Sequence, residues 1–190
     1  SDKSRDARVL LAGLYTTIRS YPQAIEQYEY VLAKFPNYTE ANIYLAAVYS
    51  ETQRFDKAIK LFEKVLTIDD YANKHLIHYY LGRIREEENS DKAFKKAEIS
   101  YKKASELKPE FVDATIALGA LYKTQKQEAK ALSLYQAYQK NKGPNVKIAE
   151  ILSQMYIEQQ KFDEAFEQLE ILENQTEDPL SIKVRMALIL

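Results

Sequence analysis

Apolar residues return every three or four positions along nearly the whole chain, and they do so in paired blocks. Ile43, Leu45, Val48 and Tyr49 share one helical face, and Ala58, Ile59, Phe62, Val65 and Leu66 share the next. Each spacing predicts an amphipathic helix, and two consecutive helices turn their apolar faces to one core. The paired blocks themselves recur. Ala24, Ala58, Ala97, Ala131 and Ala165 stand at intervals of 34, 39, 34 and 34 residues. Tyr15, Tyr49, Tyr122 and Tyr156 keep time with four of these alanines, as do Leu11, Leu45, Leu118 and Leu152. A period of this length marks stacked two-helix repeats that cannot bury their apolar faces alone and do so against their neighbours. Binding along an extended surface, rather than catalysis, is the function such an array predicts.

The repeats are placed near residues 5–38, 39–72, 75–111, 112–145 and 146–179, with a partial sixth over 180–190, as a single array spanning 1–190. Pro36, Pro109, Pro144 and Pro179 punctuate the ends of second helices, because proline lacks the N–H a helix interior needs yet is tolerated at a helix start. The third repeat departs from the others. It has three extra residues before its alanine, close to one helical turn, which predicts a lengthened second helix over 90–107. Two more are added around Tyr71–Lys74, and Arg85 stands where the aromatic is expected. Asn141-Lys142-Gly143-Pro144-Asn145 is the strongest breaker in the chain and the expected place for a bend. The chain starts without Met and begins and ends inside the pattern, which reads as a piece of a longer protein.

A small residue, Ala12, Ala46, Gly82, Gly119 or Ser153, follows the leucine position of each first helix and is expected to let the paired helices approach closely at the alanine of the second. Leucine then small residue, aromatic three later, alanine nine after that, aromatic four further on and then proline resembles the tetratricopeptide repeat. Asn42-Ile43-Tyr44-Leu45-Ala46-Ala47-Val48-Tyr49 followed by Phe55-Asp56-Lys57-Ala58-Ile59-Lys60-Leu61-Phe62 is similar to that pattern almost throughout. The resemblance implies an all-α solenoid of tandem helix-turn-helix repeats in a right-handed superhelix, about five full repeats plus a lone C-terminal helix. It implies further that first helices line a concave groove that holds a protein or peptide partner. Carried onto this sequence, the groove positions are Val9, Gly13, Glu40, Ile43, Ala47, Tyr79, Arg83, Asp113, Ile116, Ala120, Lys123, Glu150 and Gln154. Val9, Ile43, Tyr79 and Ile116 would form an apolar stripe, with Gly13, Ala47 and Ala120 leaving room beside it, a floor suited to an apolar-anchored segment. The competing reading is that the stripe buries itself against neighbouring first helices. The family's way of gripping a C-terminal carboxylate is not expected, since Val9, Gly13 and Tyr44 stand at the matching positions. Tyr44, Tyr79 and Tyr80 are the tyrosines that could serve a binding hot spot, with packing the favoured role for Tyr44 and Tyr80.

Composition narrows the function further. The net charge of −1 offers no global basic field for nucleic acid. No run approaches the roughly 20 apolar residues of a membrane span, so a soluble protein, cytoplasmic or periplasmic, with no membrane insertion is expected. Charge is nonetheless uneven: residues 73–145 hold 14 Lys/Arg against 9 Asp/Glu, and residues 146–190 hold 4 against 9. Without cysteine there is no disulfide, thiolate metal site or thiol nucleophile. His75 and His78 are spaced to share a metal, but no further ligand is indicated and a structural role is favoured. No phosphate loop or nucleophile motif occurs. The expectations are therefore no enzyme, no catalytic residues, no cofactor and no metal. Three functions are weighed: a scaffold or adaptor holding a partner segment in its groove, the non-catalytic arm of a larger enzyme or bacterial secretion machine, and a self-association module using Val184, Met186, Leu188 and Ile189 of the incomplete sixth repeat.

Overall fold

The computed structural model describes residues 2–189, and among these residues it contains eleven α-helices and no strand. First helices are α1 (Asp2–Thr17), α3 (Thr39–Glu51), α5 (Lys74–Glu87), α7 (Val112–Thr124), α9 (Val146–Glu158) and α11 (Pro179–Ala187). Second helices are α2 (Tyr21–Lys34), α4 (Phe55–Leu66), α6 (Asp91–Leu107), α8 (Glu128–Lys142) and α10 (Phe162–Glu173). The expected helix-turn-helix order is what the chain adopts. Its third repeat has the lengthened second helix, 17 residues long and capped where the Ser90 hydroxyl accepts from the Ala93 N–H at 3.2 Å.

The turn inside each repeat is set by one left-handed residue. Arg19, Gln53, Asn89, Lys126 and Gln160 have φ between 44 and 58°. In four of the five repeats the next residue returns its N–H to the carbonyl of the consensus tyrosine, as in Arg54 to Tyr49 at 2.7 Å and Gln127 to Tyr122 at 2.8 Å. This closes the helix end as a Schellman motif does. No glycine marks the position, so the turn costs about 1 kcal/mol of left-handed strain in each repeat and leaves no trace in the sequence.

Ala24, Ala58, Ala97, Ala131 and Ala165 are completely buried. The small residues opposite make room chiefly for an aromatic ring. A Cβ on Gly82 would overlap the Tyr101 ring, and one on Gly119 would overlap the Tyr135 hydroxyl, which donates to the Ile116 carbonyl at 3.1 Å. The consensus tyrosine ties its repeat to the second helix before it: Tyr49 on α3 donates to Glu29 on α2, and Tyr156 on α9 accepts from Gln136 on α8 at 2.8 Å. Arg85 preserves this tie by other means. Its guanidinium reaches Glu63 on α4 at 3.3 Å and the Ser100 hydroxyl on α6 at 2.6 Å.

The chain divides into two compact units, residues 1–108 and 109–190. The division falls at Lys108–Pro109 rather than at the breaker over 141–145. That breaker is a tight helix connection inside the second unit: Gly143, with φ of 86°, closes α8 through an N–H to Gln139 at 2.8 Å, and Asn145 caps α9. In the partial sixth repeat the structure corrects one expectation. Met186 is buried with Ile182 against Ala149, Leu169 and Leu172, and Ile189 packs on them, so only Leu180, Val184 and Leu188 stay exposed.

Candidate binding groove

In the N-terminal unit the helical register brings the predicted positions of α1 and α3 to one surface. Val9, Gly13, Glu40 and Ala47 line a cleft of about 840 Å3 with Leu10, Leu14, Tyr38 and Tyr44. Ile43, Ala47 and Arg83 line a second of about 290 Å3 with Tyr44, Phe62 and Tyr80. Glu40 and Ile43 enter a third of about 480 Å3, reached by Tyr71 from the connector between α4 and α5. Tyr44 lines all three clefts, so they adjoin one another along α1, α3 and α5 and together make a trough grouped around its ring.

The walls are apolar and held in place. Tyr28 packs on Tyr44 with ring centroids 6.1 Å apart, and Phe62 stacks on Tyr80 at 5.7 Å and 20°. Tyr79, expected to anchor a ligand, is half-buried against Tyr80 and Tyr101, and its hydroxyl accepts from Arg83 at 3.5 Å. It lines none of the three clefts and meets the trough only through its contact with Tyr80. Tyr44 and Tyr80, favoured from sequence as packing residues, are 48% and 41% exposed and form the trough's walls. They sit one position after Ile43 and Tyr79, and the width of the apolar stripe, which periodicity does not give, decides whether that neighbouring position faces solvent. Leu14 is 65% exposed, whereas Val48 and Ile84 in the same slot of α3 and α5 are buried, because among the described residues no helix packs on that face of α1. With Leu10 it extends the trough's apolar floor.

The C-terminal unit treats the same slots differently. Asp113 and Lys147, one repeat apart, form an ion pair at 2.7 Å, and Glu150 pairs with Arg185 on α11 at 3.0 Å. Gln154 donates to Glu158 at 3.0 Å. Ile116 is half-buried, with Ala120 and Lys123 exposed beside it.

Titratable groups elsewhere serve packing. Burial lowers the pKa of both His75 and His78, with nearby cations adding to the effect, and no cluster of three metal-binding side chains occurs among the described residues. Glu86 is raised by burial while accepting a hydrogen bond from Tyr101, whose own hydroxyl is raised, first by burial and then by that carboxylate. No described helix is long and apolar enough to cross a membrane.

A family model for the tetratricopeptide repeat matches residues 19–70. Among solved structures the chain is similar to MamA, with 21% identity covering 93% of this chain and 96% of that one and a TM-score of 0.66. It is similar to pilF of Pseudomonas aeruginosa, at 20% identity covering 99% and 85%, with a TM-score of 0.69. YrrB, described as a TPR protein with an unusual peptide-binding site, is 19% identical over 94% and 90%, with a TM-score of 0.58. No curated protein matches the chain in sequence.

Proposed function

We propose, for a chain that is a tetratricopeptide-repeat protein by fold, that it is an interaction scaffold holding an apolar segment of a partner polypeptide in the trough of its N-terminal unit. Proteins of this fold are generally protein-protein interaction scaffolds rather than catalysts. The observation that carries the specific reading is the grouping of three adjoining clefts around Tyr44, with preset aromatic walls and half-buried Val9 and Ile43 among their linings. A preformed apolar concavity with few polar groups is the usual form of a ligand site, and fixed aromatic walls reduce the entropy lost on binding. YrrB's described peptide-binding site is a fold-level precedent.

The test is affinity capture from source-cell lysate with the native chain, Ile43→Asp and Ile116→Asp, followed by mass spectrometry. A protein retained by the native chain and Ile116→Asp but lost from Ile43→Asp supports the N-terminal trough. Identical captures by all three reject it.

A second reading is self-association through α11, supported by the exposed row of Leu180, Val184 and Leu188, spaced four apart on one helical face. It predicts a sedimentation mass above the monomer that returns to 22.1 kDa when the three residues become serine. A monomeric native chain rejects it.

A further inference from the structure

The two residues added between α4 and α5 have a structural consequence. α4 ends at Leu66 and α5 starts at Lys74, so the connector carries Ile68, Asp70 and Tyr71 to the side of the trough, where with Glu40, Tyr44 and Tyr80 they line the cleft of about 480 Å3. Three tyrosines therefore surround a space that has a carboxylate on α3 and another on the connector. Burial raises the pKa of the Tyr71 hydroxyl, and Tyr80, Glu40 and Tyr44, which line the same cleft, add to it.

Charge in this cleft is one-sided. Neither Glu40 nor Asp70 has an ion pair or hydrogen bond among the described residues, and no Lys or Arg lines the cleft. Elsewhere on the first helices Asp6 is paired with Arg5, Asp113 with Lys147 and Glu150 with Arg185, whereas Glu51, which lines the cleft of about 290 Å3, faces Arg83 across it without an ion pair among the described residues. Tyrosine faces attract a cation through the ring quadrupole, and nearby carboxylates add Coulombic attraction that grows as water is displaced. Tyr44 and Tyr80 are held by Tyr28 and Phe62, so the ring walls stand ready. An acidic side chain entering here would meet two like charges, and an apolar one would leave both carboxylates desolvated without a partner.

We propose that this cleft is a pocket for a cationic side chain, a lysine or arginine of the segment held in the trough. The proposal rests on the trough reading and adds a chemical requirement to it: the partner segment is apolar with a basic residue at one fixed position. The long connector of the third repeat is the device that creates the requirement.

The probe is a displayed library of random twelve-residue peptides selected on the native chain, on Glu40→Gln/Asp70→Asn and on Ile43→Asp, each first shown to keep its helical circular dichroism. Expected on the native chain is a consensus of apolar residues with one fixed Lys or Arg. Expected on Glu40→Gln/Asp70→Asn is the same apolar pattern without the cation. The best native-selected peptide should bind this variant about five- to tenfold more weakly, and replacing its cation by norleucine should cost a similar factor on the native chain and little on the variant. An apolar consensus lost on Ile43→Asp but with no fixed cation, or with an acidic residue instead, overturns the pocket and leaves the trough. Failure to select any peptide, or peptides indifferent to Ile43→Asp, overturns both.

Discussion

The groove slots of the two units share one register and differ in how the charges beside them are met. In the N-terminal unit they hold Val9, Gly13, Ile43 and Ala47, open to solvent between aromatic walls, with Glu40 unpaired at the edge. In the C-terminal unit Ile116 and Ala120 keep the apolar slots, and beside them Asp113, Lys147, Glu150 and Arg185 are cross-linked between first helices at 2.7 and 3.0 Å. The C-terminal unit pairs these four charges internally, while the N-terminal unit leaves apolar surface and the Glu40 carboxylate unanswered. A repeat stack can thus be uniform in fold and varied in local surface chemistry, because packing slots fix the stack and the other slots vary freely.

The largest expected effect separates the units directly. Ile43→Asp should weaken a trough-binding peptide by about 100-fold or more, since it puts a charge into a desolvated apolar contact. Gln154→Ala and Lys123→Glu, exposed in the C-terminal unit, should leave affinity within about twofold. Titration calorimetry on the three variants measures this, and equal losses would erase the comparison.

Next come the glycines. Gly82→Ala and Gly119→Ala should destabilise by about 1–3 kcal/mol, because the added methyl overlaps a buried tyrosine. Gly13→Ala meets only the Tyr28 hydroxyl at 4.0 Å and should gain up to about 1 kcal/mol from helix propensity while narrowing the trough. Urea denaturation separates the two classes.

A smaller effect appears at high pH. Tyr49 is pushed up to about 12 by burial, then by the Glu29 carboxylate that accepts its hydrogen bond, and Tyr135 to about 12 by burial alone. A hydroxyl raised in the folded state stabilises fully below its unfolded value of 10.0 and loses that contribution as pH climbs through 12. Glu29→Gln should lower the Tyr49 value and leave Tyr135 unchanged, read by tyrosinate absorbance with Tyr→Phe assignments.

The smallest effect concerns the ion pairs. Lys147→Ala should cost no more than about 0.5 kcal/mol, since the pair is solvent-exposed, and the loss should shrink in high salt. A loss several times larger would mean that these pairs hold the C-terminal unit together.

Most of the stack was legible in the sequence, because core slots demand the same residue types in each repeat. Thr39, Val112 and Val146 begin their helices where the period put them, and the added turn of the third repeat lengthens α6 as expected. The left-handed turn residues were not legible, since Arg19, Gln53, Asn89, Lys126 and Gln160 share no chemistry and carry no glycine. Val9, Ile43 and Ala47, placed by register on one face, do line the clefts of the N-terminal unit. The sequence offers Tyr44 and Tyr80 for binding but favours packing, and their 48% and 41% exposure was not legible because a one-position step on a helix can lead to core or to solvent. Asp113 and Lys147 stand 34 residues apart in one slot, so their pairing could have been read as a signal that the C-terminal concave face is already occupied by its own charges. The path of the connector through Tyr71 follows no period, and only the structure brings it to Glu40.

The most direct measurement is methyl NMR of the isoleucine-labelled chain titrated with a peptide selected on it. The account predicts that Ile43 and Ile68 shift in saturable fashion while Ile116 and Ile157 do not move. Saturable shifts at Ile116 and Ile157 with Ile43 unmoved would contradict it and transfer the binding surface to the C-terminal unit.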